Sequence, residues 1–174
     1  MAATLTRTSS PIQISAFVSE TAGSTFTSEQ IDLTLNALDQ EVFVVTQVNM
    51  DVDAPDALQG TTSQTSASIS TTARATVGTI GAANVLATAR REIISNPLFN
   101  EAGVPFDRED PLFAAISEDY LGIVATNNMF LNIQGLNNTN AKFCAVRVYG
   151  YRAKASASVY AALVQSELLS AIRS

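Results

Sequence analysis

Apolar and polar residues alternate with a period of two over long stretches of this chain, which is the pattern of β-strands. In residues 41–53 the odd positions form a mixed face, which combines the apolar Phe43 and Val45 with polar residues. The even positions form an apolar face, made of Val42, Val44, Thr46, Val48, Met50 and Val52. The pattern predicts a long strand that is buried on one side, partly covered on the other, and ended by a turn at 53–56.

Residues 62–77 alternate in the same way, with small apolar residues on one side and Ser, Thr and Arg on the other. They predict a very long or bent strand with a hydroxyl-rich face, broken near Gly78 and Gly81. Further strands are predicted at 12–18, 30–35, 121–126, 129–134 and 142–154.

Two turn signals separate the last three of these strands. An Asn pair at 127–128 is compatible with a tight turn, and residues 135–140 form a loop rich in turn formers. Residues 85–94 fit either a short helix or a strand. Residues 105–111 predict a charged, irregular loop, followed by a helical turn through Ala115.

The C-terminal segment 156–173 predicts a helix over 157–172, with Ser156 as its N-cap. Its expected buried stripe is Tyr160, Leu163, Val164, Leu168, Ala171 and Ile172. If Leu163 and Leu168 anchor this helix, Leu168→Asp is expected to cost several kcal/mol or to abolish assembly, because it would bury an unpaired charge.

Seven or eight short strands without a fixed repeat predict a mainly β, single-domain antiparallel β-sandwich over residues 1–174. We expect a jelly roll with a C-terminal helix, and an immunoglobulin-like sandwich stays open because both share the same alternation. Residues 1–11 are expected to form a flexible or partner-contacting arm.

Charged residues make up only 15% of the 174 residues, and two of them are lysines. A surface of Ser, Thr and Ala is easily buried against another protein. A compositional bias in an acidic protein would explain the low charge content equally well. The net charge is −6, and the first thirty residues hold one basic residue, Arg7. We therefore expect no strong direct binding of nucleic acid.

The chain contains no histidine and one cysteine, Cys144, which is expected to be a buried thiol. The usual general base and a zinc site are therefore excluded by composition. The acidic pairs 109–110 and 118–119 are adjacent in sequence, and such spacing does not favour a glycosidase pair. We expect neither an enzyme nor a cofactor.

Asp51, Asp53 and Asp56 cluster at the end of a predicted strand. Carboxylate oxygens in such a cluster would suit a hard cation such as calcium. A solvated acidic turn is the competing interpretation.

No acidic residue lies between Asp119 and Glu167, and four cations do: Lys142, Arg147, Arg152 and Lys154. They are candidates for an inner face that contacts phosphate of lipid headgroups or nucleic acid. Pairing between subunits with the acidic residues 107–110, or simple solvation, would explain them as well.

The chain carries a family resemblance in three stretches: residues 1–13, the Ser/Thr/Ala-rich stretch 62–77, and FCAVRVYGYRAKA at 143–155. It resembles the single jelly-roll coat proteins of tailless icosahedral viruses, in particular shell proteins of double-stranded DNA viruses with an internal membrane. The resemblance implies a jelly roll, capsomers built from copies of the chain, and a virion in which genome or membrane lies on the inner side.

The expected function is therefore a self-assembling capsid subunit of an icosahedral shell, possible partners being other capsid proteins. The alternatives are a fibre, tail or surface-layer subunit, and a ligand- or glycan-binding β-sandwich. No signal-peptide core occurs in residues 1–13, and no apolar run approaches the roughly 20 residues of a membrane span. Assembly in the host cytoplasm is expected.

Overall fold

A computed structural model of the chain describes residues 5–95, 106–109 and 120–172. Within these ranges, strands form two five-stranded sheets, and one α-helix follows the last strand. The strands are β1 (Thr6–Arg7), β2 (Ile12–Ser19), β3 (Thr27–Asp32), β4 (Glu41–Val52), β5 (Ser63–Ser70), β6 (Val85–Ile94), β7 (Phe106–Glu109), β8 (Gly122–Val124), β9 (Asn128–Leu136) and β10 (Phe143–Lys154). A short 3₁₀ helix spans Ala37–Asp39, and α1 spans Ala157–Ile172.

The strand order identifies the sandwich as a jelly roll. In sheet 1 the order is β2–β10–β4–β8, and β1 continues the β2 edge along β10. In sheet 2 the order is β3–β9–β5–β6–β7. All described pairings are antiparallel, and the chain crosses repeatedly between the sheets, as in a double-sheet jelly roll. The predicted mainly β sandwich with a C-terminal helix is confirmed.

The core lies between the two sheets and is filled by aliphatic and aromatic side chains. Its fully buried members include Phe43, Val48, Ile69, Met129, Leu131, Ile133 and Val148. Burial of one such side chain stabilises the fold by about 1.5–3 kcal/mol before the loss of conformational entropy.

A β-bulge in β4 changes which of its residues face the core. Opposite β10, the register shifts between the pairs Tyr149–Gln47 and Gly150–Val45, and the hydroxyl of the bulged Thr46 donates to the Tyr149 carbonyl at 3.1 Å. The shared face predicted for the even positions is therefore wrong. Val42 and Val44 pack in the cluster under α1, whereas Val48, Met50 and Val52 face the core.

The hydroxyl-rich segment is shorter than predicted, because β5 ends at Ser70 and residues 71–84 leave the strand. Residues 85–94 are strand β6, so the helical alternative is excluded. The predicted irregular loop contains strand β7 instead, and the predicted helical turn through Ala115 lies outside the described residues.

The Asn pair at 127–128 does not close a hairpin, because β8 pairs with β4 in sheet 1 and β9 pairs with β3 and β5 in sheet 2. This connection carries the chain from one sheet to the other, and so does the loop between β9 and β10. Local turn chemistry therefore marked the position of the turns and not the pairing of the strands that they join.

The predicted C-terminal helix is confirmed with its predicted bounds. Its first backbone hydrogen bond runs from the Tyr160 N–H to the Ser156 carbonyl at 2.9 Å. On one side of sheet 1 a second apolar cluster forms beneath it, from Val42, Val44, Ala125, Ala153, Ala155, Val159, Tyr160, Leu163 and Val164. The helix therefore covers one half of the outer face of sheet 1.

The buried stripe of α1 departs from the prediction at its C-terminal end. Leu168 is 59% exposed, while Glu167 is only 8% exposed. The Glu167 carboxylate accepts hydrogen bonds from the N–H groups of Ala125 at 3.0 Å and Thr126 at 3.1 Å. These bonds hold the helix against the turn after β8. Burial raises the pKa of Glu167, and the two N–H donors oppose that effect.

Aspartate substitutions at two neighbouring turns of α1 should differ strongly in their effect on stability. Leu163 packs against the cluster under the helix, so Leu163→Asp should lower the free energy of unfolding by about 2–3 kcal/mol. Leu168→Asp should change it by less than about 0.5 kcal/mol, because that side chain faces solvent. Urea denaturation of both variants measures the difference, and equal losses would show that the helix buries another face.

Gly150 lies where β10 crosses the Phe43 ring. A Cβ atom at this position would overlap the ring and the Val44 carbonyl, whereas nothing lies within 4 Å of a Cβ at Gly81. We therefore expect Gly150→Ala to destabilise the protein by about 1–3 kcal/mol. Gly81→Ala is the matched control and should be neutral in the same denaturation series. A Gly150→Ala variant of native stability would contradict this packing.

Candidate assembly surface

An ion pair joins two loops at one end of the sandwich. The Lys142 ammonium donates to Asp56 Oδ1 at 2.6 Å, and the side chains are only 8% and 13% exposed. Asp56 Oδ2 also accepts hydrogen bonds from the N–H groups of Thr139 at 2.8 Å and Asn140 at 3.0 Å. The Lys142 side chain and these N–H donors hold the pKa of Asp56 well below its usual range.

A second buried carboxylate extends this connection to the loop after β2. Glu20 is 4% exposed, and its carboxylate accepts hydrogen bonds from the N–H groups of Gly135 at 2.6 Å and Lys142 at 3.0 Å. The Asn138 side-chain oxygen accepts a hydrogen bond from the Asp56 N–H at 2.9 Å. Three loops, following β2, β4 and β9, are thus fixed to one another by buried polar groups that are paired within the chain.

The structure does not gather the three candidate calcium ligands. Asp51 is exposed on the outer face of β4, and the Asp53 N–H donates to the Phe143 carbonyl. Asp56 has the Lys142 ammonium beside it where a cation would lie. In the described ranges no three acidic or cysteine side chains are grouped to hold a metal ion. The geometry gives the calcium hypothesis no support.

The Asp56–Lys142 pair should make stability depend on pH. The folded state lowers the pKa of Asp56, so the stabilisation is present above its ordinary pKa of about 4 and is lost as the pH falls towards the folded value. At pH 7 we expect Asp56→Asn to cost about 2–4 kcal/mol, since it leaves the Lys142 charge buried without a partner.

The difference between wild type and Asp56→Asn should shrink steadily between pH 5 and pH 2, roughly the range of carboxylate titration. The exposed Asp51→Asn is the control and should be near neutral throughout. Thermal melts across this range provide the measurement, and a constant difference at every pH would contradict the assignment.

The four cations predicted to form one basic face are separated. Lys142 and Lys154 lie at opposite ends of β10, and Lys142 is buried. The Arg152 guanidinium lies 3.7 Å from the Glu41 carboxylate. Arg147 and Lys154 are exposed, and they project from opposite faces of the strand. The structure therefore does not group the four cations on one face of the strand, and their contact with phosphate stays a prediction.

The hydroxyl-rich face of β5 is covered by the chain itself. Ser68 and Ser70 are fully buried on the outer side of sheet 2. The Gly78 N–H donates to the Ser68 hydroxyl at 2.9 Å, and the Ser70 hydroxyl donates to the Thr72 carbonyl at 2.8 Å. Residues 71–84 thus occupy the part of this face that composition suggested for a partner protein.

The described part of the predicted N-terminal arm, residues 5–11, is also docked on its own chain. β1 pairs with the end of β10, and the Arg7 guanidinium lies 4.5 Å from the centre of the Tyr151 ring. A cation–π contact of this kind adds to the backbone pairing. This segment extends the edge of sheet 1.

The half of the outer face of sheet 1 that α1 leaves open carries an exposed aromatic pair. Phe17 on β2 is 58% exposed and Phe143 on β10 is 38% exposed. Their rings are stacked, with centroids 5.6 Å apart and planes at 25°. Further along the same face, Arg147 lies between Ser15 and Asn49 in the register of the sheet. An exposed aromatic cluster on a folded domain is typical of a protein interface.

The solvent side of α1 adds further exposed apolar surface. Leu168 and Leu169 are 59% and 56% exposed. Leu169 also lines a surface cleft of about 490 Å³ between the helix and residues 82–84. The guanidinium of Arg74 in this cleft donates to the Asn84 side chain at 2.9 Å. Among the described helices none has the length and apolar character of a membrane span.

Cys144 is buried in the core, as predicted. Burial, and to a lesser degree the Asp51 charge, raise the pKa of its thiol to about 12. The thiolate is therefore scarce at neutral pH, and the residue behaves as a small apolar side chain.

Comparisons with known proteins find only distant structural similarity. No protein-family model and no curated protein matches the chain. The structure of an unassembled KI polyomavirus VP1 pentamer aligns with a TM-score of 0.41 and 9% identity, over 90% of this chain and 99% of that chain. A structure of Desmodium yellow mottle tymovirus aligns with a TM-score of 0.28 and 11% identity, over 87% of each chain. The fold assignment therefore rests on the strand order.

Proposed function

We propose that this chain is a structural coat subunit that assembles with copies of itself into the shell of a virus particle. The observation that carries the proposal is the open half of sheet 1, where the stacked Phe17 and Phe143 rings face solvent in a sandwich whose core is otherwise well filled. An interface core is rich in aromatic residues, and the stacked rings supply such a centre, with the charged Asp51 and Arg147 further along the same face.

The interior of the sandwich favours a structural role over a ligand-binding module. Ligand-binding barrels enclose a concave pocket in which a few polar groups converge. Here the space between the sheets is filled by side chains such as Phe43, Ile69 and Leu131, none of which is more than 1% exposed. The cleft beside α1 lies on the surface of the molecule and not between the sheets.

The same proposal places the protein in the virion and makes its main partners other copies of the chain. Contact with genome or membrane would be peripheral and would use the exposed Arg147 and Lys154, because Lys142 and Arg152 already have partners within the chain. The net charge of −6 also opposes a heavy load of phosphate contacts.

Assembly of the purified chain tests the proposal. Sedimentation velocity over a range of concentration and salt, followed by negative-stain electron microscopy, should show capsomers or closed particles. A chain that stays monomeric under all of these conditions would contradict a coat function, and open filaments would indicate a fibre or tail subunit.

Aromatic substitutions provide the matched comparison. Phe17→Ser combined with Phe143→Ser should weaken assembly by at least about tenfold in critical concentration while the melting temperature changes little, because both rings face solvent. Leu38→Ser is the control, since Leu38 is 94% exposed and lies in the 3₁₀ helix away from this pair. Equal assembly by all three proteins would remove the aromatic pair from the interface.

A further inference from the structure

The described edge strands of the two sheets differ in how well they are protected against pairing with another chain. Sheet 2 ends in β3, which contains Glu29 and Asp32, and in β7, whose sequence FDRE has three charges in four residues. In sheet 1, β8 is only three residues long. Short length and charge are the usual ways in which proteins prevent edge-to-edge association.

The remaining edge strand, β2, has neither protection. It is eight residues long, and its sequence IQISAFVS has no charge and no proline. Among the residues that the structure describes, it pairs with β10 on one side only. A strand of this kind offers a row of unpaired N–H and C=O groups that another strand can match.

The hydrogen-bond phase of β2 shows which residues carry these unpaired groups. The Glu20 N–H donates to the Lys142 carbonyl at 2.8 Å, and Ser19 is the register partner of Phe143. In an antiparallel pair the residues that bond to the partner strand alternate with those that point away. Even-numbered residues of β2 therefore bond to β10, and odd-numbered ones point their backbone groups outwards.

The core is also incompletely closed along this edge. Ile12, Ile14 and Ala16 pack against the core, yet they are only partly buried, whereas Val18 is 3% exposed. One more strand beside β2 would cover these side chains and satisfy the outward backbone groups at once.

We propose that β2 pairs antiparallel with β2 of a second copy of this chain, across a two-fold axis perpendicular to sheet 1. An odd-numbered residue must then face an odd-numbered residue, so the apolar even positions of both copies again lie on the core side. No like charges meet, because the strand is uncharged. Such an isologous contact joins two sandwiches through one continuous sheet. The inference deepens the proposed coat function by naming the surface through which copies meet.

Two proline variants of the full chain test the pairing. Ser15→Pro removes an N–H that points outwards, and proline is tolerated at such positions of edge strands. It should raise the dissociation constant of the dimer by at least about tenfold, measured by sedimentation equilibrium, while the melting temperature stays close to wild type. Ala16→Pro removes an N–H that bonds to β10 and should lower the melting temperature markedly. Ser15→Pro that dimerises as tightly as wild type would overturn the proposal.

Lysine variants keep the test decisive if Ser15→Pro does not fold. Ser15→Lys brings a positive charge towards the two-fold axis and next to Arg147, its register partner on β10, so it should abolish the dimer. Gln30→Lys places the same charge in the other exposed edge strand, β3, and should leave dimerisation unchanged. Equal dimerisation of both variants would contradict pairing through β2.

The outcomes separate this inference from the proposed function. Dimers that Ser15→Pro and Ser15→Lys abolish, without any larger particles from wild type, would support the β2 contact and contradict the shell. Particles that both variants form as readily as wild type would support the shell and overturn the β2 contact.

Discussion

The pairing of β4 with β10 at the centre of sheet 1 is the contact on which the rest of the structure depends. It runs over eleven register pairs, from Cys144–Val52 to Lys154–Glu41. The bulge at Thr46 divides it into two halves that face different partners. One half contributes Val48, Met50 and Val52 to the core, and the other turns Val42 and Val44 towards α1. The bulge thereby decides which part of the outer face is covered by the helix and which part stays open.

The surfaces left by this arrangement are unequal. Residues 71–84 cover part of sheet 2, α1 covers half of sheet 1, and charges lie along β3. The open half of sheet 1 carries exposed aromatic rings, and the adjoining β2 edge combines unpaired backbone groups with an absence of charge. A chain with only two lysines leaves this region without the usual protection against association. For that reason we place assembly there and not on the hydroxyl-rich face.

Period-two alternation predicted most strands, and the N-cap and apolar spacing predicted α1 with its bounds. The bulge escaped prediction because Val42–Val52 reads as an unbroken alternation, and only the facing strand shows the extra residue. The helix face was misjudged because a carboxylate, Glu167, occupies a buried position in place of Leu168. Hydrogen bonds to two backbone N–H groups make that burial tolerable, and no sequence pattern announces them.

The candidate sites were harder to predict, because their chemistry depends on residues far apart in the chain. Asp56 and Lys142, 86 residues apart, were assigned to separate sites, a cation cluster and a basic face, and the fold pairs them with each other. The exposed aromatic pair likewise joins Phe17 to Phe143 across the β2–β10 register. Such pairs follow from the strand order, which alternation leaves undetermined.

Residue-resolved hydrogen exchange above and below the assembly concentration tests the central claim most directly, because it reports on individual backbone amides. The account predicts that the amides of Gln13, Ser15 and Phe17 exchange rapidly in the monomer and become protected on assembly, while amides of the β3 edge do not change. Assembly that leaves these three amides unprotected would contradict it.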